Sequence, residues 1–174
     1  MDDLDNYEDW HESYLKREIV KPGTFSHMKF IKDKMIYIGD AYAGEDINGL
    51  RERNIKHIIS VGGSIDDYVT FDEIEYHRII LDDSFDSDIL FHIKTTNALI
   101  DNIDEPLLIH CHMGISRSVS ILIGYLISKG NSFHNSLNMI RNCRECAYPN
   151  FGFEIQLRSL DNSDNSNERK RRKK

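Results

Sequence analysis

Nothing in this 174-residue sequence runs apolar for the roughly 18 residues that mark a membrane-spanning helix, which argues against a membrane protein. The first residues, MDDLDNYEDWHE, lack both the basic and the apolar stretch of a secretory signal. Cysteine is scarce. Cys111, Cys143 and Cys146 are an odd count without disulfide-framework spacing, which suits a reducing compartment and a cytoplasmic protein. Cys143 and Cys146 form a C-x-x-C, but no second pair completes a zinc site. A redox C-x-x-C also opens a helix after a strand, whereas this one closes a helix before YPN, so the pair reads as structural. No metal-ligand cluster and no internal repeat is visible. Positive charge is short as well: the net charge is −7, and of 22 basic residues the last six stand together as RKRRKK. Without them, 16 basic residues face 29 acidic ones, too acidic for a broad nucleic-acid-binding face. The basic cluster itself reads as a nuclear-import signal, which would make an import receptor a partner and the nucleus a second location, as a patch for an acidic partner, or as a plain solvated tail.

What the chain does contain is one ordinary core's worth of apolar residues, 40% of the sequence. Residues 1–25 are acidic, broken by Pro22-Gly23, and read as an extension. Residues 26–160 read as one domain. Residues 161–174 are low-complexity and polar, and are expected to be disordered. Within the domain, MKFIKDKMIYIGDA suggests two short strands joined at KDK; INGLRERNI has helical spacing; KHIISVGG and IEYHRIIL read as strands. Apolar residues from Ile89 to Ile103 recur at three- and four-residue steps, the period of a helix. PLLIHC is a short continuous apolar run, the pattern of a strand buried on both faces. SVSILIGYLISKG is a helix ended by Gly130, and HNSLNMIRNC and FGFEIQLRSL give two more, with Pro149 between. Strands alternating with helices, followed by a helical final third, predict an α/β fold with a central, mostly parallel mixed sheet flanked by helices.

The chemistry concentrates in LLIHCHMGISRSVSILIGYLISKG, residues 107–130. A buried strand ends at His110-Cys111, a short loop follows, and Arg117 begins the next helix. Backbone N–H groups of such a loop can turn inward as an anion nest, with the positive end of the following helix behind them. Gly114 lets the backbone turn without a Cβ clash, and Arg117 offers a planar fork that matches two phosphate oxygens. A thiol in that field is favoured as the nucleophilic thiolate. A lone cysteine at a strand end is most often a small buried hydrophobe; the coincidence of Cys111, Gly114, Arg117 and Ser118 in a strand-to-helix turn outweighs that reading.

HCHMGISRS resembles the His-Cys-x5-Arg-Ser/Thr signature of the cysteine-dependent protein phosphatases, and its GISRS ending resembles the small, stand-alone dual-specificity branch. YIGDA and PNFGFEIQL resemble an early strand and a late segment of the same family, so the likeness covers roughly residues 28 to 160. It implies that Cys111 attacks the phosphate to form a phosphocysteine that water then hydrolyses. It further implies that Arg117 binds phosphate and stabilises the transition state, and that Ser118 helps the thiolate leave. His110 would tune Cys111 from behind, and the backbone amides of His112, Met113, Gly114, Ile115, Ser116 and Arg117 would line the cradle. No metal or other cofactor is implied. Asn150 matches an asparagine that braces the loop, though it serves equally as a turn residue. Met113 departs from the commoner Ala or Glu at the cradle rim, which leaves substrate preference open.

Poor leaving groups also need a proton donor. ILDDSFDSDIL offers Asp82, Asp83, Asp86 and Asp88. The family register, with the acid five residues before an Asp/Asn-Ile/Leu pair, picks Asp83, and Asp82 is second; Asp86 and Asp88 read as solvated or helix-capping residues. The short separation from Asp83 to Cys111 is expected to trim the helix-to-strand loop without moving the acid. The function implied is hydrolysis of phosphotyrosine and phosphoserine/threonine in phosphoprotein substrates. Two alternatives stand beside it: the same chemistry on RNA 5′-phosphates, phosphoinositides or glucans, and a phosphoprotein-binding module without turnover.

Overall fold

In the computed structural model, the described residues are 21–28, 34–63 and 69–171, with side chains described as far as Asp161. Five strands form one sheet: β1 (Ser26–His27), β2 (Ile36–Gly39), β3 (His57–Gly62), β4 (Glu75–Ile80) and β5 (Leu107–His110). Their spatial order is β1-β2-β5-β3-β4. Only β1, antiparallel to β2, departs from a parallel arrangement. The mixed, mostly parallel sheet expected from the alternation of elements is present.

β5 is the central strand, and its four residues LLIH are all buried, as its uninterrupted apolar run predicts. Helices α1 (Ala41–Glu45) and α2 (Ile47–Glu52) cover one face, where Ala43 and Leu50 pack with Ile58, Ile74 and Leu108. The other face carries α3 (Leu90–Asn102), α4 (Arg117–Ser128), α5 (Phe133–Arg141) and α6 (Phe151–Arg171). There Ile59, Val61 and Ile109 meet Ile93, Ile121, Leu122, Phe153 and Leu157. Full burial of each such side chain is worth about 1.5–3 kcal/mol, so α4, buried on nearly every side, is pinned by its surroundings. Gly130 follows its end with φ +91°, the left-handed residue expected there. Lys34 caps α3 by donating to the carbonyls of Ile100, Asp101 and Ile103 at 2.6–3.0 Å.

Three differences from the sequence reading stand out. The first strand lies at Ser26–His27, just ahead of MKFIKDKM, because its partners Ile38 and Tyr37 lie in β2; residues 29–33 of the expected hairpin fall outside the described residues. Gly23 and Thr24, assigned to the extension, are tied to the domain: the Gly23 amide donates to the Asp40 carboxylate at 3.1 Å, and the Thr24 carbonyl accepts from Arg144 at 3.2 Å. At the other end, the α6 backbone stays helical to Arg171, inside the segment expected to be disordered. No proline or glycine follows Gly152 to stop it. Residues 172–174 of the basic cluster and the acidic residues 1–20 lie outside the described residues. Among the described residues no helix is long and apolar enough to cross a membrane.

Candidate active site

Cys111 leaves the C-terminal end of β5, the edge of a parallel sheet where ligands gather in open α/β folds. Its thiol is 2% exposed. The Gly114 amide donates to Sγ at 3.2 Å, and Ser118 Oγ lies 3.2 Å from the same sulfur. The loop thus curls back on its own cysteine, and the first turn of α4 supplies the hydroxyl. Gly114 has φ +64°, and a Cβ there would collide with the Gly39 carbonyl and the Arg144 guanidinium. Both the conformation and the space demand glycine.

Arg117 begins α4 at the mouth of this loop. Among the described residues its buried Nε has no hydrogen-bond acceptor. The nearest carboxylate oxygen is Asp83 Oδ2 at 3.7 Å, beyond hydrogen-bond reach. A buried guanidinium donor without an acceptor is costly unless an anion completes it, and a phosphate oxygen is the chemistry it fits.

The four acidic candidates separate clearly, Asp86 being simply exposed. Asp83 Oδ1 accepts from Ser116 Oγ and from Asn150 Nδ2, both at 2.7 Å, so its carboxylate is anchored to the loop that carries Cys111. Asp82 turns instead against Gly63 at the end of β3. Asp88 accepts from the Phe91 amide at 3.1 Å and caps α3. The structure brings Asp83, the first of the two aspartates favoured by the sequence, to the site. The connection between α3 and β5, where the sequence reading put the shortening, is residues 103–106.

Asn150 is more than a turn residue. Its Oδ1 caps α6 by accepting from the Phe153 amide at 2.9 Å, its backbone amide donates to Ser116 Oγ at 3.0 Å, and its Nδ2 holds Asp83. Ser116 therefore links three elements through one hydroxyl. Phe85 and Phe151, next to these anchors, stack with centroids 6.2 Å apart. Both are about half exposed, and Met113 at the loop tip is also exposed, so the site has an apolar rim.

His110 lies behind the cysteine. Its Nε2 is 2.7 Å from Ser60 Oγ and its Nδ1 is 3.4 Å from the Cys111 carbonyl. Burial pushes its pKa down to about 4, against weaker opposing effects from the Cys111 backbone and Asp40. The ring is neutral at physiological pH and acts as a dipole rather than a charge.

Sequence reasoning overlooked Arg144. NCREC was read for its cysteines, yet the arginine between them is 1% exposed. Its Nε donates to the Gly114 carbonyl at 2.6 Å and its Nη2 to the Met113 carbonyl at 3.2 Å, while Nη1 reaches Thr24. Charge-assisted bonds of this kind are the strong ones, and here they hold the loop carbonyls outward. No local pattern separates Arg144 from Arg141 three residues earlier; only the carbonyls brought to it by the fold do. Asp40 was missed too. It caps α1 by accepting from the Ala43 amide at 2.9 Å, and the adjacent Ala41 amide donates to the His112 carbonyl at 3.1 Å. Cys143 and Cys146 are free thiols in the turn after α5. Cys143 donates to the Ile140 carbonyl at 3.2 Å, and burial pushes its thiol pKa up, the reverse of what a reactive cysteine needs.

Taken together, a buried thiol, a guanidinium donor, a hydroxyl on the sulfur and an anchored carboxylate are held on or against one loop. Residues 36–163 match the family described as "Dual specificity phosphatase, catalytic domain". The chain is 30% identical over 141 residues to dual specificity protein phosphatase 1B of Arabidopsis thaliana, covering 76% of this chain and 81% of the relative. It is 30% identical over 133 residues to dual specificity protein phosphatase 22 of Xenopus tropicalis, covering 74% and 63%. Among solved structures, the Yvh1 phosphatase domain of Chaetomium thermophilum is similar with a TM-score of 0.69 at 28% identity, over 78% of this chain and 94% of that one. Human DUSP28 shares the fold, with a TM-score of 0.73 at 21% identity over 84% and 98%.

Proposed function

The chain belongs to the dual-specificity phosphatase family through its catalytic domain, and on that premise we propose that it hydrolyses phosphotyrosine and phosphoserine/threonine in proteins through a phosphocysteine. The observation that carries this reading is the anchoring of Asp83 to Ser116 and Asn150, which sets a carboxyl group beside the loop holding Cys111 and Arg117. Cys111 thiolate attacks phosphorus, and the S–P bond forms as the P–O bond to the leaving group breaks. Asp83 in its acid form gives its proton to the departing oxygen. Arg117 and the loop amides take up the charge on the phosphoryl oxygens. In the second step Asp83, now a carboxylate, accepts a proton from the attacking water. The S–P bond then breaks, and Ser118 supports the leaving thiolate from 3.2 Å. The Phe85–Phe151 rim and exposed Met113 offer apolar footing for a peptide flanking the phosphate.

The test is phosphate release from a phosphotyrosine peptide, a phosphothreonine peptide, a 5′-triphosphorylated RNA and a phosphoinositide, with Cys111→Ser as the blank. Release from both peptides, absent in the blank, supports the proposal. Preference for RNA or lipid overturns the substrate class but not the chemistry. Turnover by Cys111→Ser overturns the mechanism.

A further inference from the structure

At the opposite end of the sheet, the parallel register of β3 and β4 pairs His57 with Glu75 and Ile59 with His77. Because side chains alternate along a strand, His57, Glu75 and His77 share the face that, further along, buries Ile59, Val61 and Leu81. Here the buried apolar row gives way to three polar side chains. His57 Nδ1 lies 3.3 Å from His77 Nε2. Glu75 places Oε2 3.6 Å from His57 Nδ1 and Oε1 3.6 Å from His77 Nε2. One ligand atom from each residue falls within 4.8 Å of the other two. The sequence showed no metal-ligand cluster because its members stand 18 and 2 residues apart, and only strand pairing joins them.

We propose that His57, Glu75 and His77 form a binding site for a zinc-class divalent cation, independent of the phosphatase centre. Three observations carry this. A four-coordinate ion with bonds of about 2.0–2.1 Å places its donors about 3.3 Å apart. The two nitrogens already have that spacing, and each Glu75 oxygen stands 3.6 Å from one of them, so a modest turn of this largely exposed carboxylate would bring a single oxygen towards both. The donor set of two imidazoles and one carboxylate suits zinc and its first-row neighbours rather than calcium or magnesium, which take oxygen ligands. Finally, His57 Nε2 lies 3.5 Å from Glu105 Oε2. A carboxylate on the side of the second ring nitrogen favours the tautomer that leaves Nδ1 free to bind metal, the kind of support a ligating histidine usually has. Three protein donors leave a fourth position for water. The histidine side chains are about four-fifths buried, whereas Glu75 is largely exposed, which gives an ion a route in. A bound ion would clip edge strand β4 to β3, and through Glu105 to the connection before β5.

The experiment uses the full chain carrying Cys111→Ser, so that the catalytic thiol cannot compete for metal. Zinc is titrated against a chromophoric chelator, cobalt(II) is followed by its visible absorption, and imidazole nitrogen resonances are recorded with and without zinc. The expected result is one equivalent of zinc, shifts confined to two histidines, and a cobalt spectrum of low coordination number without thiolate charge transfer. Binding should be lost in His57→Ala and in His77→Gln, and weaken about tenfold in Glu105→Gln. At a hundredfold excess over Kd, zinc should raise the Tm of the Cys111→Ser chain by roughly 5–10 °C. The proposal is overturned if zinc binds equally well to folded His77→Gln, if thiolate bands place cobalt on Cys143 or Cys146, or if no histidine resonance moves. The resonance measurement needs no substitution at the site, so a variant that fails to fold does not blunt the test.

Discussion

The two ends of the sheet hold clusters of similar size, built on opposite plans. At the C-terminal ends, Cys111 is surrounded by groups that are themselves fixed: Arg144 on the loop carbonyls, Asn150 on both Ser116 and Asp83, and His110 on Ser60. At the N-terminal ends, His57, Glu75 and His77 lean on one another and on Glu105, with Glu75 largely exposed. One end is rigid before any ligand arrives, as transition-state stabilisation requires. The other leaves its carboxylate largely exposed, which gives an ion a way in. What separates them is the second layer of contacts rather than the chemistry of the first.

The contrast can be broken most severely at Arg117. Arg117→Lys should lose about 10²–10³-fold in kcat/KM, nearly as much as Arg117→Ala, because a point charge cannot supply the planar fork. Near-normal kinetics in the lysine variant would remove that argument. Asp83→Asn should cut turnover about 10²-fold on alkyl phosphates and far less on activated aryl phosphates; equal losses on both would move the acid role elsewhere. Arg144→Met strips the buried brace and leaves the Gly114 and Met113 carbonyls without their donor, at about 1–3 kcal/mol each. A fall in both Tm and kcat is expected, with zinc affinity at the far end unchanged; an unaltered kcat in folded protein would make Arg144 merely structural.

His110 sharpens the same point through pH. Its folded pKa, about 4, lies below the ordinary 6.5, so between those values the unfolded chain binds the extra proton and the folded chain does not. Stability from this residue is complete above pH 6.5 and is lost as pH falls towards 4, by roughly 3 kcal/mol in all. Denaturation midpoints measured across that window should show the slope in the parent chain and a reduced slope in His110→Asn. The smallest effect belongs to the far end. In metal-free buffer, folded His77→Gln should keep its phosphatase activity within about twofold, since substitutions remote from a site rarely couple to it. A larger loss would mean that the two ends communicate.

How much of this was legible in the sequence follows from the range of the interactions. Helices and strands were, because periodicity is local: the apolar run at 107–109 and the spacing from Ile89 to Ile103 map directly onto β5 and α3. The short helix α1 was not, since five residues with one capping aspartate carry too little periodic signal. Cys111, Gly114, Arg117 and Ser118 were legible because a strand, a loop and a helix start must be contiguous in order to surround one anion.

Sequence alone therefore determined the candidate loop and its flanking elements, and the family resemblance it carries ordered the four aspartates. Tertiary structure decided what local spacing cannot encode. It selected the aspartate that reaches Ser116, chose Arg144 rather than Arg141 to bear the loop, and joined His57 to Glu75 and His77. The physical reason is the same each time: these partners meet through strand register and helix packing, where distance in the chain carries no information about distance in space.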